Sequence, residues 1–154
     1  VVKNISIRRM APDDAGDLIA AFDAMLPDTW RDGPLPNAAR MAEVLADGRL
    51  IVIAAFERKT PAGYVSGFVM PALNRDGSVA MLDDLLVAEG FRSKGLGRRL
   101  VDAFKTTAKE VAPPPVSMWS GTGVDNVACR KAFEAAGGKP VDETFVEYGW
   151  ARLM

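Results

Sequence analysis

The chain of 154 residues has no histidine, one cysteine, two tyrosines and a formal net charge of only −1. Each shortage excludes something. Without histidine there is no imidazole-based nucleophilic triad and no imidazole-ligated metal, and no metal is expected. The single Cys129 cannot form an internal disulfide, which fits a reducing compartment and a cytoplasmic location. Near-neutral charge argues against a general nucleic-acid binder, so any basic cluster is a local feature with a local purpose. No apolar run is long enough to span a bilayer, and the N-terminal VVKNISIRR lacks the apolar core of a secretory signal, so no membrane partner is expected. With 49% apolar and 25% charged residues and no internal repeat, residues 1–154 read as one globular domain with a substantial core.

What the chain does contain is an α/β alternation. Ile5 to Arg8 alternates as a strand, and Pro12-Asp13-Asp14 opens a helix whose apolar stripe is Leu18, Ile19, Phe22, Met25 and Leu26. A Gly/Pro-rich loop from Asp28 to Pro36 carries Trp30. Asn37 can cap a second helix reaching Ala46, which Gly48 closes. Strands follow over Leu50 to Phe56, Tyr64 to Met70 and Val79 to Val87, with turns at 59–63 and 74–77, which makes an antiparallel meander. After a long helix, Pro113-Pro114-Pro115 stops helicity and Val116 to Trp119 resumes a strand, which should lie parallel to 79–87. Asp125 or Asn126 caps a last helix reaching Ala136, and Thr144 to Trp150 reads as a final strand.

The stretch from Leu82 to Glu110 carries the chemistry. Leu85-Leu86-Val87 ends a buried strand, Arg92 to Arg98 forms a basic loop with glycines at 95 and 97, and Leu96, Leu100, Val101, Phe104, Ala108 and Val111 recur at helical spacing. The first N–H groups of a helix lack intrahelical partners and carry partial positive charge, so such a junction suits an anion. Glycines at 95 and 97 remove side chains that would hold a phosphate off the backbone, and Arg92, Lys94 and Arg98 add formal charge. The triphosphate loop is excluded because Gly97 is followed by Arg98-Arg99 rather than Lys-Ser/Thr, and the dinucleotide fingerprint lacks its third glycine.

The order Leu85-Leu86-Val87 and then Arg92-Ser93-Lys94-Gly95-Leu96-Gly97 resembles the acyl-CoA pyrophosphate loop, Arg-x-x-Gly-x-Gly, of the GNAT superfamily of N-acetyltransferases. The opening Ile-Arg-Arg-Met-Ala and the order of elements over nearly the whole chain are similar too. The resemblance implies a mixed, mostly antiparallel sheet of six to seven strands with about four helices, splayed between strands 79–87 and 116–119. It implies acetyl-CoA as cofactor. The pantetheine arm would then pair with backbone at Leu85, Leu86 and Val87, and the diphosphate would rest on amides of Arg92, Ser93, Lys94, Gly95, Leu96, Gly97 and Arg98. Asn126 matches a position that often contacts the cofactor, although a plain helix cap explains it equally well.

Two features bear on catalysis. The family's usual Asn-x-x-Ala-x-x-Leu-Tyr carries a tyrosine that protonates the departing thiolate, whereas this chain has Phe133 there, which cannot donate a proton. A thiolate with a pKa of about 8.5 can leave without a dedicated acid. The base that accepts the amine proton must come from elsewhere, and the candidates are Asp83 and Asp84. On a regular strand these neighbours point to opposite faces. Asp84 directly precedes Leu85-x-Val87, where many members of the family place a carboxylate, and its apolar neighbours should raise its pKa. Cys129 lies on a helix without an acid–base partner in sequence, which speaks against a nucleophile. Met118 and Trp119 read as core, with Trp119 also able to line the acceptor mouth; Tyr148 and Trp150 read as core or as a homodimer surface.

Within the family the chain is similar to aminoglycoside 3-N-acetyltransferases and their relatives, through Leu85-Leu86-Val87 leading into the loop, Met118-Trp119, Gly137-Gly138 and Val146-Glu147-Tyr148. That implies a small-molecule amine as substrate, with an aminoglycoside-like polyamine among the acceptors. Asp28, Asp32, Asp83, Asp84, Asp142, Glu143 and Glu147 could border the acceptor cleft and attract a cation. Two further readings stay open at this point: an acyl-CoA-binding module with little catalysis, marked by Phe133, and a peptide or protein N-terminal acetyltransferase. A nucleotide-binding regulator is disfavoured by the absent Lys-Ser/Thr.

Overall fold

Strands β1 (Ile5–Arg9), β2 (Leu50–Glu57), β3 (Thr60–Pro71), β4 (Ser78–Val87) and β5 (Pro115–Ser120) pair in chain order, β1-β2-β3-β4-β5, in a computed structural model that describes residues 4–31 and 33–141. The first four are antiparallel and β5 joins β4 in parallel, so the sheet is mixed and mostly antiparallel as expected. Five strands stand among the described residues, against the six to seven implied by the resemblance; the strand expected over 144–150 lies outside them. Among the described residues four helices flank the sheet: α1 (Ala15–Met25), α2 (Ala38–Leu45), α3 (Leu96–Ala108) and α4 (Val127–Ala135). No described helix is long and apolar enough to cross a membrane.

Each sheet face has its own core, because alternate side chains on a strand point to opposite sides. On one face Ile51, Ile53, Val65, Val69, Ala80 and Leu82 meet the apolar stripe of α3. That stripe is the one legible in sequence: Leu96, Leu100, Val101, Phe104 and Ala108 are all buried. On the other face Val52, Ala54, Phe56, Tyr64 and Leu86 meet Leu18 and Ala21 of α1 and Met41 and Leu45 of α2. Asn37 caps α2 as expected, its side chain accepting the Arg40 N–H at 2.9 Å.

The expected turn at 59–63 is tighter than that. Glu57 pairs with Thr60, so Arg58-Lys59 alone makes the hairpin, with Arg58 in the left-handed region at φ 56. Pro61 and Gly63 belong to β3. The proline is accommodated where the β2–β3 register shifts at Ala55/Phe56, and Gly63 lets β3 approach β4, since a Cβ there would lie 2.6 Å from the Leu86 carbonyl oxygen.

A second irregularity shapes the site. Ser66 pairs with Asp84 but the next residue, Gly67, pairs with Leu82, so β4 carries one extra residue, Asp83. A bulge of this kind breaks the two-residue alternation. Before it Ala80 and Leu82 face α3; after it Leu86 faces α1 and α2.

Candidate active site

The bulge corrects the placement of the two candidate carboxylates. Alternation upstream puts Val79, Met81 and Asp83 on the face opposite Ala80 and Leu82. Alternation downstream puts Asp84 with Leu86 on that same face. Asp83 and Asp84 therefore share the α1/α2 side rather than opposing sides. Asp84 is half-buried and receives two long hydrogen bonds at Oδ2, one donated by Tyr64 Oη and one by Ser66 Oγ, each at 3.4 Å. Tyr64 is held by Phe22 of α1, whose ring centroid is 4.8 Å away at a 57° tilt. A helix residue thus fixes the tyrosine, and the tyrosine fixes the carboxylate.

The electrostatics suit a base. Burial pushes Asp84 above the ordinary carboxylate range, and the neighbouring charge of Asp83 pushes it further, with the Ser66 and Tyr64 hydrogen bonds opposing both. Burial, and then the Asp84 charge, hold the Tyr64 hydroxyl far above its ordinary value, so it stays a proton donor to the carboxylate. Cys129 has a thiol pushed up by burial, with a weaker opposing hydrogen bond from Thr122, which is the reverse of what a nucleophilic thiolate requires.

The basic loop forms between a 3-10 turn (Glu89–Phe91) and α3. Ser93 and Gly95 are both left-handed, at φ 60 and φ 79. This folds the chain so that successive N–H groups converge, and those from Ser93 to Arg98 find no acceptor among the described residues. Leu96, buried, anchors the start of the helix, and Gly95 occupies the N-cap without a side-chain cap. The side chains lie closer in: Arg92 Nε donates to the Val87 carbonyl at 3.0 Å, Lys94 Nζ donates to the Gly90 carbonyl at 2.7 Å, and Arg98 pairs with Asp102 at 3.4 Å.

Gly97 has a packing job besides its place in the loop. A Cβ there would stand 3.1 Å from the Cβ of Ala132, so its lack of a side chain lets α3 and α4 touch. Gly95 is the glycine that the loop's own geometry requires, through its positive φ. Lys105 ties the same helix pair together by donating to the Ala136 carbonyl at 2.6 Å, a cation at the end of α4. Asn126 caps α4, accepting the Cys129 N–H at 3.2 Å, so the cap reading is seen directly and leaves its amide nitrogen to any further role. Phe133 is half-buried against the α3-side core.

Beside the loop the sheet opens. β4 and β5 pair only from Ser78/Pro115 to Leu82/Ser120, and Ser120 Oγ closes the last step on the Leu82 carbonyl at 2.9 Å. Beyond it, Asp83 to Val87 have no partner strand on the β5 side among the described residues, which is the expected splay. Leu85 and Val87 pack toward α3 and Leu86 toward α1 and α2, so only their backbone is left for a ligand in the gap. Left-handed residues, unpaired amides and an opened sheet edge fit a molecule with a diphosphate at one end and an amide-bearing arm at the other, which is the make-up of acyl-CoA. Met118 and Trp119, expected in the core, are 37% and 56% exposed because β5 leaves the helix-covered part of the sheet. Of the other carboxylates expected at the cleft, Asp28 lies exposed in a 3-10 turn after α1; Asp32, Asp142, Glu143 and Glu147, with Tyr148 and Trp150, lie outside the described residues. The bulge had no clear sequence signal beyond two adjacent aspartates in an apolar strand.

Comparison with known proteins agrees with this geometry. The model of the Acetyltransferase (GNAT) family matches residues 16–137. An aminoglycoside acetyltransferase from an uncultured soil metagenomic sample, solved with trehalose, superposes with a TM-score of 0.77 at 18% identity, over 98% of this chain and 97% of its own. The aminoglycoside N-acetyltransferase AAC(6')-Iy in complex with CoA gives 0.72 at 18% identity, over 98% and 100%. A ribosomal-protein-alanine N-acetyltransferase from Brucella melitensis biovar Abortus 2308 gives 0.69 at 16%, over 95% and 99%. No curated protein sequence matches the chain.

Proposed function

The chain belongs to the GNAT acetyltransferase family, and from that premise we propose that it transfers the acetyl group of acetyl-CoA to a primary amine of a small molecule by direct attack in a ternary complex. The observation that carries this reading is the juxtaposition on β4 of an opened edge leading to the unpaired amides of Ser93 to Arg98 and, one residue before that edge's Leu85, the half-buried carboxylate of Asp84 on the α1/α2 face. The backbone of Leu85 to Val87 holds the pantetheine arm, and the amides of Ser93 to Arg98 hold the diphosphate, with Arg92 and Lys94 adding charge. Acetyl-CoA, when bound, supplies the acetyl group as an activated thioester.

Asp84 accepts the amine proton, directly or through water. Its raised pKa makes it a stronger base than an exposed aspartate. Tyr64 and Ser66 hold Oδ2, which leaves Oδ1 for the incoming proton. Asp83 adds negative charge that favours a protonated amine on arrival. Asp84→Asn should lower turnover by about 10²–10⁴-fold while the CoA affinity, read by calorimetry, stays unchanged. Turnover within a few-fold of the parent enzyme would remove Asp84 from this role.

A second reading is favoured by Phe133, which puts no hydroxyl where the family pattern has one: a module that binds acyl-CoA with little transfer. Thiol release from acetyl-CoA in the presence of an amine panel separates the two, since the module would bind CoA and release none.

A further inference from the structure

Reading the β-ladders across the α1/α2 face of the sheet gives successive rows. Ala54, Tyr64 and Leu86 form one; Val52, Ser66 and Asp84 the next; then Leu50, Phe68, Met81 and Trp119; and last Met70, Val79 and Ser117. Helices α1 and α2 cover the first row and part of the second, where Val52, Ala54, Tyr64 and Leu86 are buried. Leu50 still packs against that cluster, but beyond it the described helices do not cover the lower rows. Phe68 is 41% exposed, Met70 37% and Trp119 56%, a set of large apolar side chains on neighbouring strands and on one face. Trp119 belongs to this face because its neighbour Met118 points the other way, lining a cleft on the α3 side with Ala80, Lys105 and Ala108.

The acid pair stands at the upper border of that apolar floor. Successive rows are about 7 Å apart and adjacent strands about 5 Å, so Phe68, Met81 and Trp119 make a strip about 10 Å wide that begins one row from Asp84. Large contiguous exposed apolar patches on a soluble protein commonly serve an interaction. Here the patch is continuous with the proposed base, and among the described residues of these rows the charged ones, Asp83 and Asp84, are negative. Hydroxyl-rich ligands gain little from such a floor, because their polar groups would be desolvated without partners. Aromatic faces, in contrast, receive both apolar rings and cations.

Resting on the transferase reading above, we propose that the floor of Phe68, Met81 and Trp119, extended by Met70, receives the apolar body of a monocationic primary amine, an arylalkylamine by class, whose nitrogen sits at the Asp83–Asp84 pair. A spacer of about two to three carbon atoms joins ring and nitrogen across one row. This assigns acceptor selectivity to the floor and separates the chain from the aminoglycoside enzymes that share its fold.

The test is transfer by the full chain from acetyl-CoA to three amines: 2-phenylethylamine, ethylamine and neamine. The expected result is a kcat/KM for 2-phenylethylamine about 30-fold or more above that for ethylamine, from burial of the ring, and above that for neamine. Phe68→Ala and Trp119→Ala should each narrow the phenylethylamine-to-ethylamine ratio about tenfold, mainly through KM. A preference for neamine, or a ratio that neither substitution changes, overturns the proposal while leaving the transferase reading intact. Release of no thiol with any of the three, in protein that binds CoA by calorimetry, overturns both.

Discussion

Gly67 is where the fold and the site depend on one missing side chain. It lies in β3 opposite Leu82, immediately beside the bulge that turns Asp84 toward Tyr64. A Cβ built there would stand 2.1 Å from the Met81 carbonyl oxygen and 2.6 and 2.8 Å from two ring atoms of Phe104, which is fully buried. Ordinary contact begins at 3.4 Å, so 3.4 minus 2.1 leaves β3 and β4 to separate by 1.3 Å. Overpacking typically costs about 1–3 kcal/mol. A backbone carbonyl cannot rotate aside, so Gly67→Ala should fall at the upper end, about 3 kcal/mol. With a urea dependence of about 2 kcal/mol per molar, the unfolding midpoint drops by about 1.5 M. Phe104→Leu removes the ring contact but not the carbonyl, so it should not restore the midpoint in the double variant. Gly16, on α1 with nothing within 4 Å of its Cβ, is the opposite control, and Gly16→Ala should stabilise by about 0.5–1 kcal/mol. A Gly67→Ala protein whose midpoint stays within about 0.3 M of the parent would refute the close approach of β3 to β4, and with it the bulge geometry on which Asp84 depends.

The charge environment of Asp84 gives a pair of shifts with opposite signs. Asp83→Asn removes a contribution that raises its pKa and should move the acidic limb of the pH–rate profile to lower pH, whereas Tyr64→Phe removes a donor that lowers it and should move the limb up. For stability, a carboxyl whose folded pKa exceeds its unfolded value destabilises the fold as pH rises through the interval between the two. Asp84→Asn should therefore gain stability relative to the parent on going from acid to neutral pH, as read from urea midpoints at the two ends. Gly95→Ala, strained at φ 79 by about 1–2 kcal/mol, should weaken CoA binding in calorimetry because it moves the converging amides. Gly97→Ala should instead lower the thermal midpoint through its contact with Ala132 and leave the CoA affinity of the folded protein unchanged in calorimetry; weaker CoA binding at an unchanged midpoint would overturn the packing role.

The sequence alone determined the features that are local or periodic. The stripe of α3, the Asn37 cap, the meander and the basic loop from Arg92 to Arg98 are written in consecutive residues, because helix spacing, capping and strand-to-helix turns are set within a few positions of one another. Family membership followed from the same stretch. Tertiary structure decided what depends on pairing between distant segments. The orientation of Asp83 and Asp84 was fixed by a register shift against Ser66 and Gly67, residues roughly seventeen positions away, and no strand viewed alone reveals where its partner skips a residue. The duty of Gly97 was set by Ala132, from a helix that only the folded chain brings beside it. The exposure of Trp119 was likewise decided by where the helices stop covering the sheet. An apolar side chain reads the same in sequence whether a helix lies over it or a ligand does, because burial belongs to the neighbour as much as to the residue.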